Sequence, residues 1–252
     1  MTDLVRVSQD GGVLVLTLAR PDKKNALTGE MYLALIAALE RADADETIGA
    51  VLIEGEGGAF TAGNDIGDFL AHASAGAAMP AFRFVKAIAA CDTPLVAAVD
   101  GVAVGVGTTM LFHCDLVYAA PTAKFRMPFI DLGLVPEAGS SLTVPARVGR
   151  AKAAELLMLG EGFGAEEAHR LGVVNAVVAA NLLRDVALVE ARRLAAKPRA
   201  AMRATRRLIV GDRTELLKRI DEEAQAFARA LASDEARQAF MAFMSKSAAK
   251  PR

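Results

Sequence analysis

The chain has 252 residues, with 29 Lys and Arg against 30 Asp and Glu and a formal net charge of −1. That balance gives no global electrostatic footprint for nucleic acid, and the length suits one large domain or one domain with a small extension. Apolar residues make up 53% but aromatics only 5%, with no Trp, so the core is expected to form from many small contacts rather than a few bulky anchors.

The N-terminus, Met1-Thr2-Asp3-Leu4-Val5-Arg6, lacks a basic stretch followed by an apolar core, so no signal peptide is expected. Leu4 to Ser8 and Val13 to Leu18 flank Asp10-Gly11-Gly12 and read as a β-hairpin. A polar loop, Arg20 to Asn25, leads to Thr28, which caps a helix with an apolar stripe of Met31, Leu35 and Leu39. Ala50 to Ile53 is wholly apolar, as expected of a strand buried on both faces.

A Gly-rich loop and the Ala62-Gly63-Asn64-Asp65 turn follow, then a helix. The unit recurs with a strand at Leu95 to Val99, the segment Gly101-Val102-Ala103-Val104-Gly105-Val106-Gly107, and a helix from about Gly107. This apolar stretch is interrupted by Asp100 and its glycines, so it reads as strand, turn and helix rather than a membrane span. Asp115 to Ala119 and Ala123 to Phe125 read as further strands, and the alternation to about residue 150 argues for α/β architecture.

Beyond residue 150, apart from an apolar strand signal at Val173 to Val178, helical patterns dominate. Lys197-Pro198 marks a boundary that divides a core, 1–196, from a helical C-terminal region, 197–252. The stripes there, Leu216, Ile220, Phe227, Leu231 and Phe240, need a covering surface, within the chain or on another subunit. Cys91 and Cys114 sit in apolar surroundings without metal or redox spacing, which points to reduced thiols in the cytoplasm.

The two Gly-rich turns carry the chemistry. Gly63 lets the chain turn so that the Ala62 N–H can point into a cleft, and Val106 stands between two glycines at a helix start, where N–H groups lack intrahelical partners. Two such donors from separate loops can converge on one oxygen and stabilise an enolate or tetrahedral oxyanion. The glycine spacing does not spell GxGxxG and no GK[ST] follows, so dinucleotide and P-loop readings fail.

Glu137, after Pro136, is placed either to offset a helix dipole in a first turn or to act as a base. Asp131 is the other acid in this stretch. Ser140-Ser141 lacks the nucleophile-elbow context, and His72, His113 and His169 have no partners at ligand or triad spacing, so they read as surface or structural.

The hairpin with its Arg20-Pro21 to Leu27-Thr28 loop, Ala62 to Ile66, Gly101 to Gly107, Cys114 to Ala119 and Leu132 to Glu137 together resemble the crotonase superfamily, the enoyl-CoA hydratase/isomerase family. The resemblance covers nearly the whole chain. It implies a spiral of ββα units with a helical C-terminal region that builds homotrimers or hexamers and covers the active site. It also implies an acyl-CoA thioester whose carbonyl lies between Ala62 N–H and Val106 N–H, with no metal or other cofactor and coenzyme A as part of the substrate. The CoA portion would follow Lys23, Lys24, Ala26 and Leu27 and the Gly63, Asn64, Asp65, Ile66 segment, with basic residues near the C-terminal helices on its phosphates.

Hydratases of this family hold a water with two glutamates, which fall on Thr109 and Phe129 here. Both carboxylates are missing. The Δ3,Δ2-enoyl-CoA isomerases carry a glutamate where this chain has Glu137. The resemblance therefore implies a base at Glu137, an apolar wall at Phe129, and a double-bond shift in a 3-enoyl-CoA. The alternatives are hydration of a 2-enoyl-CoA and a catalytically silent acyl-CoA-binding homologue.

Overall fold

The computed structural model describes residues 2–248. Strands β1 (Val5–Asp10) and β2 (Val13–Leu18) form the expected hairpin around Gly11-Gly12. Thr28 accepts a hydrogen bond from Met31 N–H and caps α1 (Gly29–Ala44), whose Met31, Leu35 and Leu39 are buried. β3 (Ala50–Gly55), α2 (Ile66–Ala71) and α3 (Pro80–Ala90) follow.

Next come β4 (Leu95–Val99), β5 (Val102–Val104) and the short helix α4 (Val106–Thr109), then β6 (Leu116–Ala119) and β7 (Lys124–Arg126). The second half is mainly helical. It holds α5 (Ser140–Val148), α6 (Arg150–Met158), β8 (Phe163–Gly164), α7 (Ala165–Arg170), β9 (Ala176–Val177) and α8 (Leu183–Ala195). Past the Lys197-Pro198 break lie α9 (Arg199–Val210), α10 (Arg213–Leu231) and α11 (Asp234–Ala248).

Six strands form one sheet in the order β1-β2-β3-β4-β6-β9, parallel throughout except for the hairpin. Its two faces explain the unbroken apolar strands. Val51 and Ile53 of β3 face the core shared with α1 and α3, whereas Ala50 and Leu52 face the opposite layer, where α8 supplies Leu183, Ala187, Leu188 and Ala191. Each buried Val, Leu or Ile side chain among these contributes roughly 1.5–3 kcal/mol.

A smaller sheet, β5-β7-β8, stands beside the first. Thr61 bridges the gap, donating its N–H to Val102 O and accepting from Val104 N–H. Gly107 permits this approach, because a Cβ there would lie 2.6 Å from Thr61 Cγ2. The two Gly-rich segments are thus zipped edge to edge. No helix among the described residues is long and apolar enough to cross a membrane.

Two sequence expectations change. The strand expected at Val173 to Val178 contracts to Ala176–Val177, since Val173 and Val174 instead bond back to Ala168 O and close α7. Glu137 does not open a helix: α5 begins at Ser140, and Glu137 lies in the turn before it.

Candidate active site

Glu137 is 5% exposed, and its Oε1 accepts a hydrogen bond from Thr109 Oγ1 at 2.6 Å. Burial pushes the carboxyl up from its usual 4.5 to about 8; the Thr109 bond pulls the other way, and the nearby Glu223 charge adds to the rise. A carboxyl tuned in this way is suited to proton transfer near neutral pH.

The turn that carries Glu137 is fixed from three sides. Ala138 takes a left-handed conformation, φ +59, unusual for a residue with a Cβ. His113 donates from Nε2 to Ala138 O at 2.8 Å, and burial pushes that imidazole down to about 4, so it stays neutral. Ser140 Oγ donates to Glu137 O at 2.6 Å. Glu223, reaching in from α10, accepts from Gly139 N–H at 2.6 Å and Ser141 N–H at 2.9 Å. The reading of His113 as structural thus gains a specific content, while Glu223 gave no signal in the sequence: its partners are 84 and 82 residues away.

Val106 is the first residue of α4, and its N–H has no acceptor among the described residues. It lies three positions before Thr109, so the free amide and the partner of Glu137 belong to a single helical turn. Ala62 does not match its expected role. Its N–H donates to Lys24 O at 2.9 Å and is committed to the loop.

The free amide on that side is Asn64. Leu27 takes up the groups on either side of it, donating to Gly63 O at 2.7 Å and accepting from Asp65 N–H at 2.9 Å, and Asn64 N–H has no acceptor among the described residues. Gly63, φ +87, makes this possible; a Cβ there would lie 2.6 Å from Val104 O. The sequence points to the right segment, but the unpaired amide lies two residues later than expected, because the Lys24–Ala62 pairing links distant loops.

Ala62, Gly63, Asn64, Ile66, Gly105 and Phe129 line a cavity of about 110 Å³, and Phe227 of α10 and Phe240 of α11 close its apolar side. Phe227 packs edge-on against Phe129, with ring centroids 6.4 Å apart. Glu137 is not one of the lining residues; its Oε1 is held by Thr109.

Lys23, Lys24, Ala26 and Leu27 do adjoin the Gly63–Ile66 segment, with both lysines exposed. Asp65 is otherwise engaged: its carboxylate pairs with Arg20 at 2.8 Å and caps α2 through Asp68 N–H. Much of the basic run is likewise committed, with Arg192, Arg203, Arg206, Arg207 and Arg213 paired to Asp10, Asp43, Asp115 or Asp92. Among the described residues no three His, Cys, Asp or Glu side chains are gathered as a metal ion would require.

A family model described as enoyl-CoA hydratase/isomerase matches residues 8–250. The chain belongs to the enoyl-CoA hydratase/isomerase family. It is 36% identical over 249 residues to enoyl-CoA delta isomerase 2 of Rattus norvegicus, covering 96% of this chain and 63% of that protein. It is 34% identical to a protein named "Probable enoyl-CoA hydratase" in Rhizobium meliloti (strain 1021), over 95% of this chain and 94% of that one.

A crystal structure of an enoyl-CoA hydratase/isomerase from Pseudoalteromonas atlantica T6c superposes with a TM-score of 0.92 at 42% identity, covering 97% of this chain and 98% of the other. The fold is therefore the crotonase fold, as the sequence resemblance implied. Both reaction names occur among the relatives. Membership identifies an acyl-CoA-processing enzyme type and leaves the reaction to the residues of the site.

Proposed function

We propose that this enzyme shifts the double bond of a 3-enoyl-CoA to the 2-position, with Glu137 as the only acid–base group. One observation carries the reading: Glu137 is a buried carboxyl with its pKa raised to about 8, and its hydrogen-bond partner is the hydroxyl of Thr109 rather than a second carboxylate. Activating a water molecule with two acids has no counterpart here. At the other position, Phe129 contributes a phenyl ring to the cavity wall.

In this reading the thioester oxygen accepts from Asn64 N–H and Val106 N–H. Glu137 takes a proton from C2, the electrons move into a dienolate over the thioester, and the two amides stabilise its oxygen. The same carboxylic acid then returns the proton to C4, so the double bond ends between C2 and C3 and the enzyme regains its starting charge. One donor of this kind is worth about 2.7–4 kcal/mol in the transition state.

The CoA portion lies along Lys23, Lys24, Ala26 and Leu27, and the C-terminal region 197–252 covers the acyl end through Phe227 and Phe240. Leu208 and Ile209 of α9 are 83% and 78% exposed, which supports a homotrimer or hexamer built on this region. The two buried free thiols suit a reducing compartment, the cytoplasm.

The test offers trans-3-hexenoyl-CoA and trans-2-hexenoyl-CoA separately and follows product mass. Conversion of the first without mass change supports the reading. Addition of one water to the second, with the first untouched, rejects it in favour of hydration.

A further inference from the structure

A carboxylate near a helix start complements the unpaired N–H groups there. In this chain Glu137 is the local acid before α5, yet it does not serve that end of the helix. Glu223 does, from α10, where it is 6% exposed and accepts from both Gly139 N–H and Ser141 N–H. With those amides satisfied from outside, Glu137 is free to turn toward Thr109.

We propose that Glu223 is a positioning residue for the reaction: it clamps the N-terminus of α5, holds the Glu137–Gly139 turn in its left-handed form, and thereby aims the Glu137 carboxyl at the reacting carbon. The inference rests on the reading of Glu137 as the base. It assigns the C-terminal region a part in catalysis beyond covering the cavity.

The surroundings fit an ionised clamp. Two N–H donors on two oxygens leave little place for a carboxyl proton. Arg219, one helical turn away on α10, favours the charged form, as do the bonds from Ser141 and Gly139, although burial is the larger influence and raises the carboxyl overall. The groups facing Glu137 are Thr109 from α4, Glu223 from α10 and, at longer range, the Tyr32 hydroxyl from α1. His113 holds the same turn but is neutral. Glu223 is therefore the carboxyl that supports the base's turn, and its negative charge raises the Glu137 pKa.

Glu223→Gln tests both roles in the full chain. A Gln side chain offers one oxygen acceptor and turns an NH2 toward the other amide, so half the clamp is lost along with the charge. The expected result is a kcat reduced on the order of tenfold to a hundredfold, as for a lost hydrogen bond to a charged group, with KM within about twofold. The acid limb of the pH–rate profile should move to lower pH, because a neighbouring negative charge no longer holds the Glu137 proton.

Glu223→Asp keeps the charge with a shorter reach; it should leave the acid limb in place and recover only part of kcat. Wild-type kcat and pH profile in both variants, even with a lower melting temperature, would make Glu223 a stability residue only and overturn the proposal. Should the wild-type enzyme hydrate 2-enoyl-CoA and not isomerise, the isomerase reading fails. The same two readouts, taken on hydration, then decide the role of Glu223 separately.

Discussion

Thr109 Oγ1 donates to Glu137 Oε1 across 2.6 Å, and this contact ties the base to the helix whose first residue, Val106, presents a free amide. In the proposed reaction, proton transfer and oxyanion stabilisation are thus linked through one helical turn. The hydroxyl's bond lowers the Glu137 pKa, and burial, the larger influence, keeps its proton affinity high.

Replacing that hydroxyl should raise the affinity further. Thr109→Val is nearly isosteric and removes a bond that lowers the Glu137 pKa. The acid limb of kcat/KM should move above its wild-type position, and kcat at high pH should fall by about tenfold or more, for about 1.5–3 kcal/mol of lost charge-assisted bonding. An acid limb shifted downward would contradict the assignment.

The wild-type profile has a definite sign. Glu137 acts in its ionised form, so kcat/KM should rise with pH on a limb centred near 8. Stability runs the other way. The unfolded chain releases this proton near 4.5 and the folded chain near 8, so the contribution is complete below 4.5 and is lost as pH rises to about 8. Urea midpoints for wild type and Glu137→Gln should therefore diverge across that window, with the variant the more stable at its upper end.

Tyr32 is buried, and its hydroxyl donates to Asn64 Oδ1, which orients the residue assigned as the second amide donor. Tyr32→Phe removes only that hydroxyl and should lower kcat by roughly two- to tenfold, as for a neutral hydrogen bond of about 0.5–1.5 kcal/mol. Asn64→Ala keeps the backbone N–H and deletes the acceptor. In that background Tyr32→Phe should cost nothing more, and fully additive losses would count against the coupling.

The sequence made the fold legible because its signals were local. The Gly11-Gly12 turn, the Thr28 cap and the two-faced apolar strand β3 each follow from neighbouring residues. The site was legible in part. Glu137 and Val106 stand in motifs that state their own context, whereas the free amide is Asn64 and not the expected Ala62, because only the Lys24 carbonyl, from another loop, decides which amide is engaged. Glu223 and His113 reach the Glu137 turn from distant segments, a relationship no local pattern encodes.

The exposed pair on α9 gives a prediction about assembly. Leu208→Glu with Ile209→Glu places charge on side chains that are 83% and 78% exposed in the single chain. If these residues are covered in an oligomer, light scattering should show the variant shifted from a trimeric or hexameric mass toward the monomer. An unchanged mass would remove this face from the proposed interface.

Whether Glu137 moves the proton is decided by turnover of trans-3-hexenoyl-CoA by Glu137→Gln beside wild type, with binding of an acyl-CoA ester measured in parallel. Intact binding is expected with a kcat lower by about three decades or more, since an interaction confined to the transition state is lost. Turnover within about tenfold of wild type, with binding equally intact, would contradict that role for Glu137.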